Sequence, residues 1–217
     1  MMLEDRYTSP NAGTSALVLI DVQQDFYADD SPMRIAGTRA TIPAMAKLAR
    51  AFREFQLPIV HVVRLYRPDG SNVDLVRRRS VEQGARIAAP GSAGSQIAPE
   101  LLPNVVELEH ELLLDGGLQQ LGPAEHVMYK PRWGAFYRTE LDRHLRESGR
   151  DTVVFAGCDF PNCPRASIYQ ASERDYRIIL VSDAISGLYQ RGMDECRAIG
   201  VRVQDLSETL DWLARNG

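Results

Sequence analysis

Short, unbroken apolar runs recur along the chain, separated by stretches where apolar residues return every three or four positions. The runs at 16–20, 58–63, 126–129, 152–156, 177–182 and 201–203 predict strands. Ala16-Leu17-Val18-Leu19-Ile20 has no polar alternation, as expected of a strand covered on both faces. Over 42–55, Ile42, Met45, Leu48, Ala49 and Phe52 fall on one face, which predicts an amphipathic helix. Further helices are predicted over 137–147, 166–172, 194–199 and 207–214, the last opened by Ser207 with Glu208 and Asp211. Residues 105–108 suggest a short extra strand and 111–121 an insertion. Strands alternating with helices imply an α/β protein, a three-layer α/β/α domain around a mainly parallel six-stranded sheet of Rossmann-like order. Residues 1–217 read as one such domain, with a polar, loosely held arm over 1–14.

Sheets of this kind bind ligands beyond the carboxyl ends of their strands. Asp21, Lys130 and the loop Gly157-Cys158-Asp159-Phe160-Pro161-Asn162-Cys163-Pro164 all fall at such ends. Pro164 suits the first position of a helix, which makes Cys163 its N-cap. Its sulfur then faces unpaired N–H groups and the positive end of the helix dipole, an environment that lowers a thiol pKa. The alternative is a cysteine that packs as a small hydrophobe. Asp21 can act as a base toward Cys163, and Lys130 can hold both ionised; otherwise Asp21 caps backbone and Lys130 lies on the surface. The stretch 64–103 is rich in Gly, Pro, Ser and Arg and is longer than an ordinary connection, so it is a lid or disordered. Its Arg77-Arg78-Arg79 run is a solvated helix face or a substrate contact.

Composition changes this picture little. The chain has 217 residues, 44% hydrophobic and 25% charged, which suits one soluble domain. A net charge of −4 supplies no attraction to nucleic acid or an anionic membrane. No stretch approaches the roughly 20 apolar residues of a membrane span. Residues 1–6 lack an apolar core, so no signal peptide is expected. Three cysteines cannot all pair, and a reducing, cytoplasmic setting is expected. His61, His110, His126 and His144 have no metal-ligand spacing, and His61 is expected to pack within the second strand.

Four ordered motifs resemble the isochorismatase-like cysteine hydrolases, the family of nicotinamidases and of N-carbamoylsarcosine, ureidoacrylate and biuret hydrolases. They are Leu17-Val18-Leu19-Ile20-Asp21-Val22-Gln23-Gln24-Asp25-Phe26, the stretch 90–101, Lys130-Pro131-Arg132-Trp133-Gly134-Ala135-Phe136-Tyr137-Arg138-Thr139-Glu140-Leu141, and 153–184. The resemblance implies a catalytic triad of Asp21, Lys130 and Cys163, with Cys158 and Cys196 as packing residues. It also implies an oxyanion hole from the N–H groups of Asp159 and Cys163, a cis Cys158–Asp159 peptide, and a trans bond before Pro161. The implied reaction is cleavage of a small amide, ureido or carbamoyl C–N bond through a thioester. The alternatives are vinyl-ether hydrolysis of the isochorismatase type and a catalytically silent member of the family.

Candidate substrate contacts are Gln23, Phe26, Arg64, Arg132, Trp133, Phe136 and Tyr189. Trp133 and Phe136 read equally well as core or interface aromatics. An arginine here could grip a carboxylate and favour an acidic ureido or carbamoyl substrate. The loop Val63-Arg64-Leu65-Tyr66-Arg67-Pro68-Asp69 lacks the Asp/His cluster of metal-bearing nicotinamidases, so neither zinc nor another cofactor is expected. Gly134 stands where the family often has Ser. Asp159 stands where it has a small residue, so its carboxylate should point away or pair with Arg165. The expected partners are a small-molecule substrate and further copies of the chain, a dimer or tetramer, with residues 109–124 in oligomer contacts; no nucleic acid and no membrane are expected.

Overall fold

The computed structural model describes residues 5–216. The chain runs β1 (Ser15–Ile20), α1 (Gln24–Tyr27), α2 (Thr38–Glu54), β2 (Ile59–Val63), α3 (Leu75–Glu82), α4 (His110–Leu114), β3 (Leu118–Gly122), β4 (Glu125–Tyr129), α5 (Leu141–Glu147), β5 (Thr152–Gly157), α6 (Cys163–Ser172), β6 (Arg177–Ile185), α7 (Gln190–Ala198), β7 (Arg202–Gln204) and α8 (Leu206–Asn216). The strands form one sheet in the order β3-β4-β2-β1-β5-β6-β7, parallel throughout except for antiparallel β3.

Every residue of β1, β2 and β5 is buried, which unbroken apolar runs allow only when both faces are covered. The strand period of two divides them between layers. Leu17 and Leu19 pack with Met45, Leu48 and Phe52 of α2 and Leu213 of α8. Ala16, Val18 and Ile20 belong to the opposite layer, with Leu141 and Leu145 of α5, Ile168 of α6 and Cys196 of α7. Among the described residues no helix is long and apolar enough to cross a membrane.

Four details depart from the sequence reading. The sheet has seven strands among the described residues rather than six, because 118–122, read as insertion, pairs with β4 at the edge. Gln119 and Gln120 hide its pattern, since an edge strand needs little apolar surface. Residues 105–108 form no strand: Val105 is fully exposed, and Gln119 and Gln96 side chains hold the backbone of Glu107 and Leu108. Helix α5 begins at Leu141 rather than 137, because Arg138 takes a left-handed φ of 52°. Helix α8 is opened not by Ser207 but by a capping box: Glu208 N–H donates to Asp205 Oδ1 (2.8 Å) and Asp205 N–H to Glu208 Oε2 (2.9 Å).

The stretch 64–103 is folded. It contains α3 and 3₁₀ turns at Ala93–Ser95 and Pro99–Leu101, over a small cluster of Phe26, Tyr66, Val73, Val81, Ile87 and Ala88. Of the arm expected over 1–14, residues 1–4 lie outside the described residues. Farther along it, Ala12 is buried and Asn11 N–H donates to Thr152 Oγ1 at 3.0 Å.

Candidate active site at the carboxyl edge of the sheet

Asp21, Arg64, Lys130 and Cys158 are the first residues beyond β1, β2, β4 and β5. Backbone bonds extend the ladder to hold them side by side: Asp21 N–H to Val62 O (2.8 Å), Lys130 N–H to Val63 O (3.0 Å) and Cys158 N–H to Ile20 O (2.9 Å). Gly157 makes this close approach feasible. It has a φ of 129°, and a Cβ there would lie 2.3 Å from Ile20 O.

Asp21 turns the chain with a φ of 55°, a conformation that Asp tolerates better than most residues. Its carbonyl accepts from Gln23 N–H and from the Cys158 thiol, both at 2.9 Å. Burial pushes the Cys158 thiol well above its ordinary pKa, with Asp21 adding in the same direction, so it stays a protonated donor. Cys158 thus braces the backbone of Asp21 as well as packing.

Lys130 Nζ lies 2.8 Å from Asp21 Oδ2, and both side chains are buried. Removing either partner would strand a charge inside the protein, at a cost of about 3–5 kcal/mol. Asp21 Oδ1 is buried with no hydrogen-bond partner, so it is free to accept a proton. Cys163 is 7% exposed and opens α6 as its first residue; Asn162, not Cys163, is the cap. Burial pushes its thiol up to about 11 and the Asp21 carboxylate acts in the same direction, while Lys130 and Arg64 pull it back. The position at the start of a helix therefore does not yield the acidic thiol expected from sequence, because desolvation and a neighbouring carboxylate outweigh it.

The Cys158–Asp159 peptide is cis. The following turn is tied down by Phe160 N–H to Ser186 O (2.8 Å) and Asn162 N–H to Asp159 O (3.0 Å), while the N–H groups of Asp159 and Cys163 take no part in its hydrogen bonds. Arg165 does not pair with Asp159. It bonds Glu195 (2.6 Å) and the Tyr189 hydroxyl (2.8 Å), and the Asp159 carboxylate accepts instead from the Asn162 side-chain amide at 2.9 Å. At Gly134 an added Cβ would lie 2.2 Å from the Gln170 side chain, which accepts from Phe136 N–H. Gln170 fills the space a serine side chain would need.

The residues expected to contact substrate divide. Arg64 lies within electrostatic reach of Asp21 and Cys163, its guanidinium is 5.9 Å from the Trp133 ring, and Lys130 donates to Arg132 O. Arg132 reaches the rim, 3.8 Å from Asp74. Tyr189 packs edge-on against Phe160 beside the turn. Gln23, Phe26 and Phe136 are committed elsewhere. The Gln23 amide is wholly buried, donating to Arg64 O and Ser95 O and accepting from Arg64 N–H, each at 2.7 Å. Phe26 is in the cluster under α3. Phe136 packs on Tyr176 and Arg174, and its N–H donates to Gln170 in the last turn of α6, at the end of that helix away from Cys163.

Asp74 and Tyr66 were not anticipated. Asp74 is the N-cap of α3, yet its carboxylate accepts from Tyr66 (2.6 Å) and approaches Arg64 (2.9 Å) instead of capping its own helix. An Asp before an apolar residue signals a helix start, but nothing local reveals its partners. The Arg77 guanidinium lies over Trp133 at 5.4 Å, while Arg78 reaches back to Val73 O. His61 is buried in β2, bonded to Glu125 (2.7 Å), which Arg53 also grips. Among the described residues no group of three or more His, Cys, Asp or Glu could hold a metal ion.

A buried Asp–Lys pair and a cysteine at a helix start thus lie together at the carboxyl edge of the sheet of an α/β protein. The Isochorismatase domain family matches residues 15–112 and 113–207, and the chain belongs to that family. A probable inactive nicotinamidase of Arabidopsis thaliana is 24% identical over 92% of this chain and 96% of its own length. A ureidoacrylate amidohydrolase of Methylobacterium radiotolerans is 26% identical over 79% of this chain and 66% of its own. Among solved structures, an isochorismatase family protein of Desulfovibrio vulgaris is 31% identical with a TM-score of 0.79, covering 93% of this chain and 99% of that one. An N-carbamoylsarcosine amidase of Thermoplasma acidophilum is 27% identical with a TM-score of 0.69, covering 89% and 96%.

Proposed function

We propose that the protein is a cysteine hydrolase that cleaves a C–N bond of a small amide, ureido or carbamoyl compound through a thioester. The observation that carries this reading is the buried 2.8 Å contact of Lys130 with one oxygen of Asp21, which leaves the other oxygen unpartnered, with the carboxylate near enough to Cys163 to push its thiol up. The amide- and ureido-cleaving relatives support the bond type.

With the thiol held near 11, only about 0.01% is thiolate at neutral pH, so a local base is needed. Asp21 takes the Cys163 proton as the sulfur attacks the carbonyl carbon. The C=O electron pair moves onto oxygen, where the N–H groups of Asp159 and Cys163 receive it; a donor of this kind contributes about 2.7–4 kcal/mol. Collapse of the intermediate breaks the C–N bond, and Asp21 returns its proton to the departing nitrogen. Water then gives a proton to Asp21 and attacks the thioester, releasing the acid and the Cys163 sulfur, which regains the proton. Lys130 stays charged and keeps Asp21 ionised between steps. Among the candidate contacts, Arg64, Arg132, Trp133 and Tyr189 lie where they can line the substrate.

The test is release of ammonia or amine across a panel of small amides and ureido acids. Cys163→Ala should abolish release while circular dichroism and melting stay unchanged; release near the wild-type rate in that variant would overturn the mechanism. Turnover of a vinyl ether with no amide cleaved would instead indicate isochorismatase-type chemistry.

A further inference from the structure

Helix α6 carries a polar stripe on the face that begins at Cys163. Ser167 and Gln170 follow it at four and seven residues, so all three share one side of the helix. Ser167 is wholly buried, among Pro164, Ile168 and Ala171 the one polar residue of the helix that is. Its hydroxyl donates to Cys163 O at 2.7 Å and accepts from Ala135 N–H at 2.9 Å. Gln170 Oε1 accepts from the next N–H of the same loop, that of Phe136, at 3.0 Å. Just past the helix, the Arg174 guanidinium lies 5.3 Å from the Phe136 ring. Gly134 permits this close approach, since a Cβ there would lie 2.2–2.6 Å from the atoms of the Gln170 amide.

The loop gripped in this way is the one that brings Lys130 to the site. Only Pro131, Arg132 and Trp133 separate Lys130 from Gly134, and proline removes backbone freedom from that short span. Lys130 Nζ donates to Arg132 O at 3.3 Å, so the ammonium is held by this loop as well as by Asp21. Thr139 closes the other side of the loop by donating to Ala135 O. Ser167 thus spans, with one oxygen, from the backbone of the cysteine to the backbone of the lysine loop. The spacing matters because Lys130 opposes the burial and the Asp21 charge that raise the Cys163 thiol, and such an influence weakens with distance.

We infer that Ser167 and Gln170 are positioning residues, which hold the N–H groups of Ala135 and Phe136 and so fix how far Lys130, Arg132 and Trp133 stand from Cys163. Neither side chain touches the reacting atoms; both act through the loop. The value of this spacing to hydrolysis rests on the reading of Cys163 as the nucleophile.

The pH profile of Cys163 alkylation tests this without amide turnover. Iodoacetamide labels the thiol, and peptide mass spectrometry separates Cys163 from Cys158 and Cys196. A looser loop that merely exposes the thiol changes the plateau rate, whereas a displaced charge moves the midpoint. Gln170→Leu, which keeps bulk and loses the acceptor, should move the midpoint upward by about 0.5–1 pH, part of the ~1–3 that a neighbouring charge contributes. Below the midpoint, alkylation relative to the plateau then falls about three- to tenfold. Gln170→Glu, which keeps an acceptor of the same reach, should restore the wild-type midpoint. Ser167→Ala should act in the same direction as Gln170→Leu, and it decides if Gln170→Leu does not fold. A wild-type midpoint in either variant, with circular dichroism showing it folded, overturns the role of that residue. A midpoint raised equally in Gln170→Glu overturns the inference too, since lost space rather than a lost acceptor would be the cause. A raised midpoint that Gln170→Glu restores, in a protein that cleaves no amide, supports the clamp and removes the hydrolase reading instead.

Discussion

Replacing Asp21 with Asn should make the Cys163 thiol more acidic and the enzyme slower. Two influences hold this thiol at about 11, burial and then the Asp21 carboxylate, with Lys130 and Arg64 opposing them. Asp21→Asn leaves burial in place and removes the like charge, while Lys130 keeps its own. A neighbouring charge at a few ångströms shifts a pKa by about 1–3 units, so the thiol should titrate near 8–10. Thiolate at neutral pH would rise at least about tenfold, yet amide release should fall by about 10²–10⁴, because the proton acceptor and later donor is gone. The assay is iodoacetamide alkylation against pH with the modified residue identified by mass spectrometry, beside ammonia release on the same samples. Lys130→Met should move the alkylation midpoint upward. An unchanged or higher midpoint in Asp21→Asn would refute the electrostatic account of Cys163, and unchanged turnover would refute Asp21 as base.

Burial pushes the Glu125 carboxyl up, but Arg53 and His61 outweigh it and hold it down at about 2, below its ordinary value of 4.5. The stabilisation from this depressed carboxyl is complete above about pH 5 and is lost as pH falls through 2; the melting-temperature gap between wild type and Glu125→Gln should narrow over that window, and a gap constant with pH would count against it. Gly157→Ala should destabilise the fold by about 2 kcal/mol or more and reduce Cys163 chemistry, because the new Cβ meets Ile20 O and forces β5 away from β1. Urea titration and alkylation rate would check it, and wild-type values in both would show that the edge can relax.

The central strands were legible because they are buried on both faces, so their sequence carries unbroken apolarity with nothing to confuse it. The same runs mark where strands end, and thus located Asp21, Lys130 and Cys163 at one edge before any contact was known. Strand β3 was not legible, since an edge strand of Leu, Gln and Gly needs only backbone pairing. Nor was the start of α5, which turns on one left-handed residue, Arg138.

Local pattern alone thus determined the layers, the parallel sheet and which chemical groups share an edge, because periodicity and strand ends are local properties. Tertiary structure decided what those groups are. Burial, which depends on everything packed around a residue, turned Cys163 from an acidic thiol into one held near 11. It paired Lys130 with Asp21, bound Gln23 to backbone, and set Asp74 against Arg64 across a loop whose sequence carries no sign of it. Charges interact through distance and dielectric, and both are set only when the chain has closed.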